Sequence, residues 1–163
     1  MEYSIRELKE SEYGLLEDFL YEAIYIPIGY QEEVPRSIIY NPDLWRTIAD
    51  FGKLKDDYCL VAEVEGCVAG AVWVRIADQY GHLDDETPSF SISLYKQYRS
   101  QGIGTALMKK MLEYLEEKDY QRASLSVQKE NYAVKMYQAV GFEIVGENEE
   151  EYIMVWNRGQ SFG

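Results

Sequence analysis

Ser91-Ile92-Ser93-Leu94-Tyr95-Lys96-Gln97-Tyr98-Arg99-Ser100-Gln101-Gly102-Ile103-Gly104-Thr105-Ala106-Leu107 is the most informative run in this 163-residue chain. It opens as a strand: from 89 to 95, Phe90, Ile92 and Leu94 alternate with Ser89, Ser91 and Ser93. A short basic and polar turn follows, and two glycines then open a helix predicted over 102–118, with Ile103, Leu107, Met111 and Leu115 on its buried face. Glycines at that point let a bulky anion approach the backbone. The unpaired N–H groups of the first helical turn, helped by the helix dipole, would hold it. The run therefore reads as a phosphate cradle, with a plain tight turn as the other reading. No Lys-Ser/Thr follows Gly104, which excludes a Walker A loop, and no third glycine stands at dinucleotide-binding spacing.

Working outward, a strand is expected over 3–8 and a helix capped by Ser11 over 11–25, with Leu15, Leu16, Phe19, Leu20 and Ile24 as its apolar stripe. The segment 26–37 carries Pro27, Gly29 and Pro35 and reads as a loop. Asn41-Pro42 forms a cap and first-turn pair for a helix ending near Gly52. Strands 58–64 and 67–76 form a hairpin about Glu65-Gly66, and 78–88 is polar and loop-like. Toward the C-terminus, a strand over 122–127 presents Ala123, Leu125 and Val127 on one side. A short helix over 131–140 is closed by Gly141. Residues 142–156 read as one or two strands broken by the acidic run 147–151. Strand, helix, strand over 89–127 predicts a right-handed parallel crossover. The whole order predicts an α/β three-layer fold with a mixed sheet. One domain over 1–156 and a frayed tail over 157–163 are expected.

The formal charge of −13 argues against nucleic acid and against anionic membrane surfaces. It suits attraction of a cationic acceptor, and equally plain solubility. No apolar run approaches the ~20 residues of a membrane span, and the N-terminus lacks signal-peptide features, so a cytoplasmic location is expected. In the simple hairpin register Val64 faces Cys67 and Cys59 lies opposite Val72. The two thiols are then not neighbours and a disulfide is not expected. Two cysteines and one histidine show no metal-ligand spacing, so no metal is expected.

Arg99-x-x-Gly102-x-Gly104, after a strand of the form Ile92-x-Leu94, resembles the acetyl-CoA signature Q/R-x-x-G-x-G/A of the GNAT N-acetyltransferase superfamily. Leu125-Ser126-Val127, Asn131-x-Ala133-Val134-x-Met136-Tyr137 and Gly141-Phe142 resemble that family's late strand, following helix and Gly-Phe exit. The resemblance covers the chain as far as Trp156. It implies the three-layer acyl-CoA N-acyltransferase fold, a mixed, mostly antiparallel sheet with a central parallel strand pair flanked by helices, and acetyl-CoA as cosubstrate without a metal. It further implies that the Ile92 N–H polarises the thioester carbonyl, that Leu94 lies nearer an amide of the pantetheine arm, and that the pyrophosphate sits on the N–H groups of Arg99, Ser100, Gln101, Gly102 and Gly104, with the Thr105 N–H or hydroxyl assisting. Gly102 and Gly104 would provide clearance. Asn131 would lie near the cosubstrate or simply cap its helix, and Tyr137 would be the general acid or a core aromatic. The Asn131–Tyr137 spacing is one residue shorter than the commoner N-x-x-A-x-x-L-Y form.

Acyl transfer to an alkyl amine of pKa about 10.4 needs a base near neutral pH. The candidates are Asp84, Asp85 and Glu86 before the central strand, with Tyr80 and His82 nearby, and Glu22 on the first helix. Glu86 is preferred because it stands closest in sequence to the strand expected to bind the thioester, although any one of these acids could be a solvated loop charge. In this family the acceptor pocket is built by the first two helices and what joins them, here 21–40, where Tyr25, Tyr30 and Tyr40 accompany Glu22, Glu32 and Glu33. Aromatics with acids suit an amine and also suit a loop packed on the domain or a dimer surface. The leading expectation is acetylation of a primary amine on a small cationic molecule by direct attack in a ternary complex. Acetylation of a peptide or protein N-terminus and a non-catalytic acyl-CoA sensor are the alternatives. Family analogy alone raises a homodimer.

Overall fold

A computed structural model describes residues 2–26, 29–30, 32–77 and 82–159. Tyr80, one of the groups considered near the acceptor, lies outside the described residues. Seven strands form one sheet in the order β1-β2-β3-β4-β5-β7-β6: β1 Ser4–Glu7, β2 Tyr58–Val64, β3 Cys67–Arg75, β4 Ser89–Leu94, β5 Arg122–Gln128, β6 Glu143–Glu147 and β7 Glu151–Asn157. Only β4 and β5 run parallel, as the crossover through α3 (Ile103–Glu117) requires. The acidic run forms the turn between β6 and β7, so the C-terminal segment is two strands.

Two apolar layers sandwich the sheet. On one face Leu60, Ala62, Val72 and Phe90 pack against α3 residues Ile103, Leu107, Met111 and Leu115 and against Tyr137 of α4 (Ala133–Ala139). On the other, Cys59, Val61, Ala71 and Trp73 pack against Leu16, Phe19 and Leu20 of α1 (Leu15–Glu22). Period-2 alternation in β2 thus feeds both cores, which is the three-layer arrangement expected from the element order. β3 and β4 approach unusually closely at Gly70, where an added Cβ would lie 2.6 Å from Leu94 Cγ and 2.9 Å from the Ser93 carbonyl oxygen. Gly70→Ala is therefore expected to destabilise the protein by about 1–3 kcal/mol, seen as a fall of several degrees in melting temperature. An unchanged melt would mean that the strands separate freely at this point.

Four details differ from the sequence expectation. The first helix starts at Leu15, not Ser11; Glu10–Glu12 is a separate 3₁₀ turn. Glu12 is held there by Arg6 at 2.8 Å and by the Lys9 N–H at 2.9 Å, and Gly14 supplies no side-chain cap to extend α1 backward. The second helix, α2, is only Pro42–Trp45, capped by the Asn41 side chain on the Asp43 N–H. Beyond it the chain runs in turns, where the buried Arg75 guanidinium takes the Arg46 and Ala49 carbonyls at 3.0 and 2.6 Å. In the hairpin, a bulge between Ala62 and Glu63 places Cys59 opposite Trp73 rather than Val72, while Val64 does face Cys67. The thiols sit at opposite ends of the hairpin, Cys59 buried and Cys67 exposed. Finally, Asn157 still pairs with Arg122, and the Arg158 N–H bonds the Gln121 carbonyl at 2.8 Å, so ordered pairing outlasts Trp156.

Candidate active site

The site is created by the way β4 leaves β5. The two strands pair at Ser89 and Ser124, with the Ser124 N–H on the Pro88 carbonyl at 3.0 Å. No further ladder pair follows toward Leu94 among the described residues. The Tyr95 N–H bonds the Ala69 carbonyl at 3.0 Å, which makes the odd-numbered residues of β4 the ones bonded to β3. The N–H and C=O groups of Ile92 and Leu94 consequently face the gap on the β5 side. The result is a stretch of sheet edge inside the molecule, where the Ile92 groups and the Leu94 N–H can pair with an extended, amide-bearing ligand while the Leu94 carbonyl accepts from Arg99 Nε at 2.9 Å.

A cavity of about 660 Å³ occupies that gap, a volume typical of small-molecule sites. Its walls bring together Ile92 and Leu94 of β4, Arg99, Ser100, Gly102, Gly104 and Thr105 of the following loop and helix, and Asn131, Tyr132, Ala133, Met136 and Tyr137 from α4 and its approach. Tyr21, Glu22, Ile24, Tyr25, Ile26 and Val34 close the other side. Of the loop positions singled out in the sequence, Gln101 alone does not line the cavity; its side chain donates to the Gln97 carbonyl at 2.9 Å.

The loop geometry separates the roles of the two glycines. Gly102 is the helix N-cap with φ 87°, a left-handed conformation that favours glycine, and Ser100 two residues earlier is also left-handed at φ 62°. The expected clearance is not the constraint at Gly102: a Cβ there would meet nothing within 4 Å. Gly104 is the residue against the cavity wall, where a Cβ would stand 3.5 Å from Leu94 Cδ1 and 3.6 Å from Met136 Sδ. The first bond closing the α3 helix from its cap is the Ala106 N–H on the Gly102 carbonyl at 3.1 Å. The preceding N–H groups of the first turn have no intrahelical partner, and the positive end of a 15-residue helix points at the cavity.

Tyr137 is buried on α4 and reaches the cavity. Burial alone pushes its hydroxyl up to about 12, so it keeps its proton at any physiological pH. Asn131, two residues before α4, accepts the Ala133 N–H on its Oδ1 at 2.9 Å and contributes to the wall. Glu86 is placed elsewhere. It is exposed, its N–H bonds Asp84 Oδ1 at 2.9 Å, and it lies before Ser89, at the end of β4 opposite Leu94. Closeness in sequence to β4 misled, because the strand carries its ligand-facing end away from that loop. Glu22, at the C-terminal end of α1, is the acid that lines the cavity. From the expected acceptor segment only Glu22 and Tyr25 of the named residues line it; Tyr30, Tyr40, Glu32 and Glu33 do not, and Tyr40 packs on Trp45 at 5.1 Å. Sequence reasoning gave no role to Ala133 and Met136, yet with Tyr137 they show the i, i+3, i+4 spacing of one helix face, which marks a shared wall.

No curated protein matches the sequence at a significant level. Several solved structures share the fold. PaiA N-acetyltransferase from Thermoplasma acidophilum, solved in complex with coenzyme A, is 19% identical with a TM-score of 0.73, over 96% of this chain and 99% of that one. The ribosomal-protein-S18-alanine N-acetyltransferase of Escherichia coli is 15% identical with a TM-score of 0.68, over 99% and 96%. A spermidine N-acetyltransferase SpeG chimera from Vibrio cholerae and hSSAT is 18% identical with a TM-score of 0.64, over 96% of each chain. At such identities the likeness is one of fold. The model of the acetyltransferase (GNAT) family matches residues 21–142, a span holding the splayed strand, the glycine loop, α3, and α4 with Tyr137. This chain belongs to the GNAT acetyltransferase family.

Proposed function

We propose that the protein transfers an acetyl group from acetyl-CoA to a primary amine of a small cationic acceptor, by direct attack in a ternary complex in the cytoplasm. The observation that carries this reading is the single cavity joining the α3 N-terminus, the unpaired edge of β4, a protonated tyrosine and one carboxylate. The chain's own groups fit acetyl-CoA. The free N–H groups after Ser100 suit a pyrophosphate, the Ile92 and Leu94 backbone suits the amide-bearing arm, and Gly104 leaves room beside Leu94 and Met136. Acetyl-CoA supplies an activated acetyl group and a thiolate leaving group.

The residues then divide the work. The Ile92 N–H faces the gap, where a carbonyl oxygen would accept it and gain polarisation in the attack. Glu22 offers the acceptor ammonium a charge partner and receives the proton the amine must lose, directly or through one water. Tyr137 holds the proton that the departing thiolate takes. Neither cysteine lines the cavity, which supports transfer without an acyl-cysteine step. Tyr21 and Tyr25 beside Glu22 suit an organic cation.

The test is a thermal melt with acetyl-CoA, followed by thiol release with a panel of amines and of peptides with free N-termini. Acetyl-CoA at about 100 times its dissociation constant should stabilise the fold by about 2.7 kcal/mol, roughly 5–10 °C for this size. Thiol release is expected with small polyvalent amines and not with the peptides. Absence of both shift and release would sink the proposal; release with peptides alone would reassign the acceptor.

A further inference from the structure

Arg99 belongs to the loop that the family resemblance assigns to phosphates, yet its side chain is committed elsewhere. Nε donates to the Leu94 carbonyl at 2.9 Å, and NH2 donates to the Glu22 carbonyl at 3.2 Å. The same NH2 stands 3.6 Å from Glu22 Oε2, an ion pair too long to be a hydrogen bond, so the carboxylate keeps lone pairs for another donor. One planar guanidinium therefore bridges the end of β4, the last turn of α1 and the acid that lines the cavity. The Leu94 carbonyl is among the groups facing the gap, and Arg99 occupies it. A ligand lying along β4 is left with the Leu94 N–H and the Ile92 groups.

We propose that Arg99 is a positioning residue for the acceptor side of the reaction, holding Glu22 at the cavity wall and reserving the Leu94 carbonyl, and is not a ligand of the phosphates. The inference rests on the acetyl-transfer reading for its kinetic consequences, but the bridge itself does not. Nearby anchors leave α1 dependent on this contact at its end. Asp18 holds Arg36, and the Tyr21 hydroxyl bonds the Val34 carbonyl, both upstream of Glu22; beyond it the chain leaves the helix at Ala23. Lysine cannot replace the bridge, since a single ammonium lacks the fork that reaches two carbonyls in different directions.

The experiment compares wild type, Arg99→Ala and Arg99→Lys by calorimetric titration with acetyl-CoA, by steady-state kinetics with the best amine of the panel, and by hydrogen exchange over residues 20–26. The expected result is an acetyl-CoA dissociation constant within about threefold of wild type. With it go a fall of about tenfold or more in kcat/KM for the amine and faster exchange at the end of α1, with Arg99→Lys resembling Arg99→Ala. In the Arg99→Ala background, Glu22→Gln should cost less than it does in wild type, the mark of two residues acting as a unit. A tenfold weakening of acetyl-CoA binding with unchanged amine kinetics would overturn the proposal and make Arg99 a phosphate ligand. Unchanged exchange over 20–26 would overturn it as well, and that readout needs no activity. Failure of the acetyl-transfer reading is distinct: wild type itself would then neither bind acetyl-CoA nor release thiol.

Discussion

Asp57→Ala is expected to lower stability by about 3–5 kcal/mol, the loss typical of one partner removed from a buried ion pair. The Asp57 and Arg75 side chains are almost wholly shielded, at 0% and 4% exposure. Arg75 reaches Asp57 bidentately at 2.9 and 2.7 Å, while Asp57 also accepts the N–H groups of Gly52 and Leu54 at 2.9 and 3.2 Å. The guanidinium lies 5.4 Å from the centre of the Phe51 ring and holds the Arg46 and Ala49 carbonyls. Alanine at 57 would leave a buried cation with half its partners and two orphaned backbone donors. For a chain of this length the melting temperature should fall by roughly 6–20 °C. Chemical denaturation gives the free energy directly. Asp57→Leu combined with Arg75→Met should lose less than Asp57→Ala alone, because no charge is stranded. A loss below about 1 kcal/mol for Asp57→Ala would show that water enters this node freely.

Tyr137→Phe is expected to reduce kcat by about 10²-fold, with little change in acetyl-CoA affinity. The substitution removes one hydroxyl and keeps the ring that packs edge-on against Phe142 at 6.3 Å, so the wall of the cavity survives. A positioned general acid contributes about 10²–10⁴-fold. The low end applies because a thiol of pKa about 8.5 leaves tolerably as the bare thiolate. The pH dependence separates this role from simple packing. A hydroxyl titrating at about 12 is still protonated at about pH 10, where an unshifted tyrosine would be half ionised. The ratio of wild-type to variant kcat should therefore be the same near pH 7 and near pH 10. A ratio of one throughout would make Tyr137 a core aromatic only, and a ratio that halves by pH 10 would mean that water reaches the hydroxyl freely.

Local pattern was enough to establish the layers and much of the cavity's lining. The serine-alternating strand 89–94, the two glycines before a period-3.6 helix and the later Asn131–Tyr137 helix are local signals, each set by backbone sterics, hydrogen-bond periodicity or burial. They specify the fold, the glycine loop that lines the cavity and the buried tyrosine. What depended on the three-dimensional arrangement was of another kind. Just past the end of α2 at Trp45, the Arg75 guanidinium takes the Arg46 and Ala49 carbonyls from far along the chain, and the hairpin register shifts because of one bulge. The acid at the cavity is Glu22 and not Glu86 because β4 points its open edge away from its own preceding loop and toward the end of α1. The Arg99 side chain turns from the glycine loop to Leu94 and to Glu22, the latter 77 residues away in the chain. The sequence by itself determined which elements form and which backbone groups they leave unpaired, since both follow from short-range geometry. Which side chains meet at the unpaired edge was settled only by tertiary structure, because that depends on where separately formed elements are packed against one another.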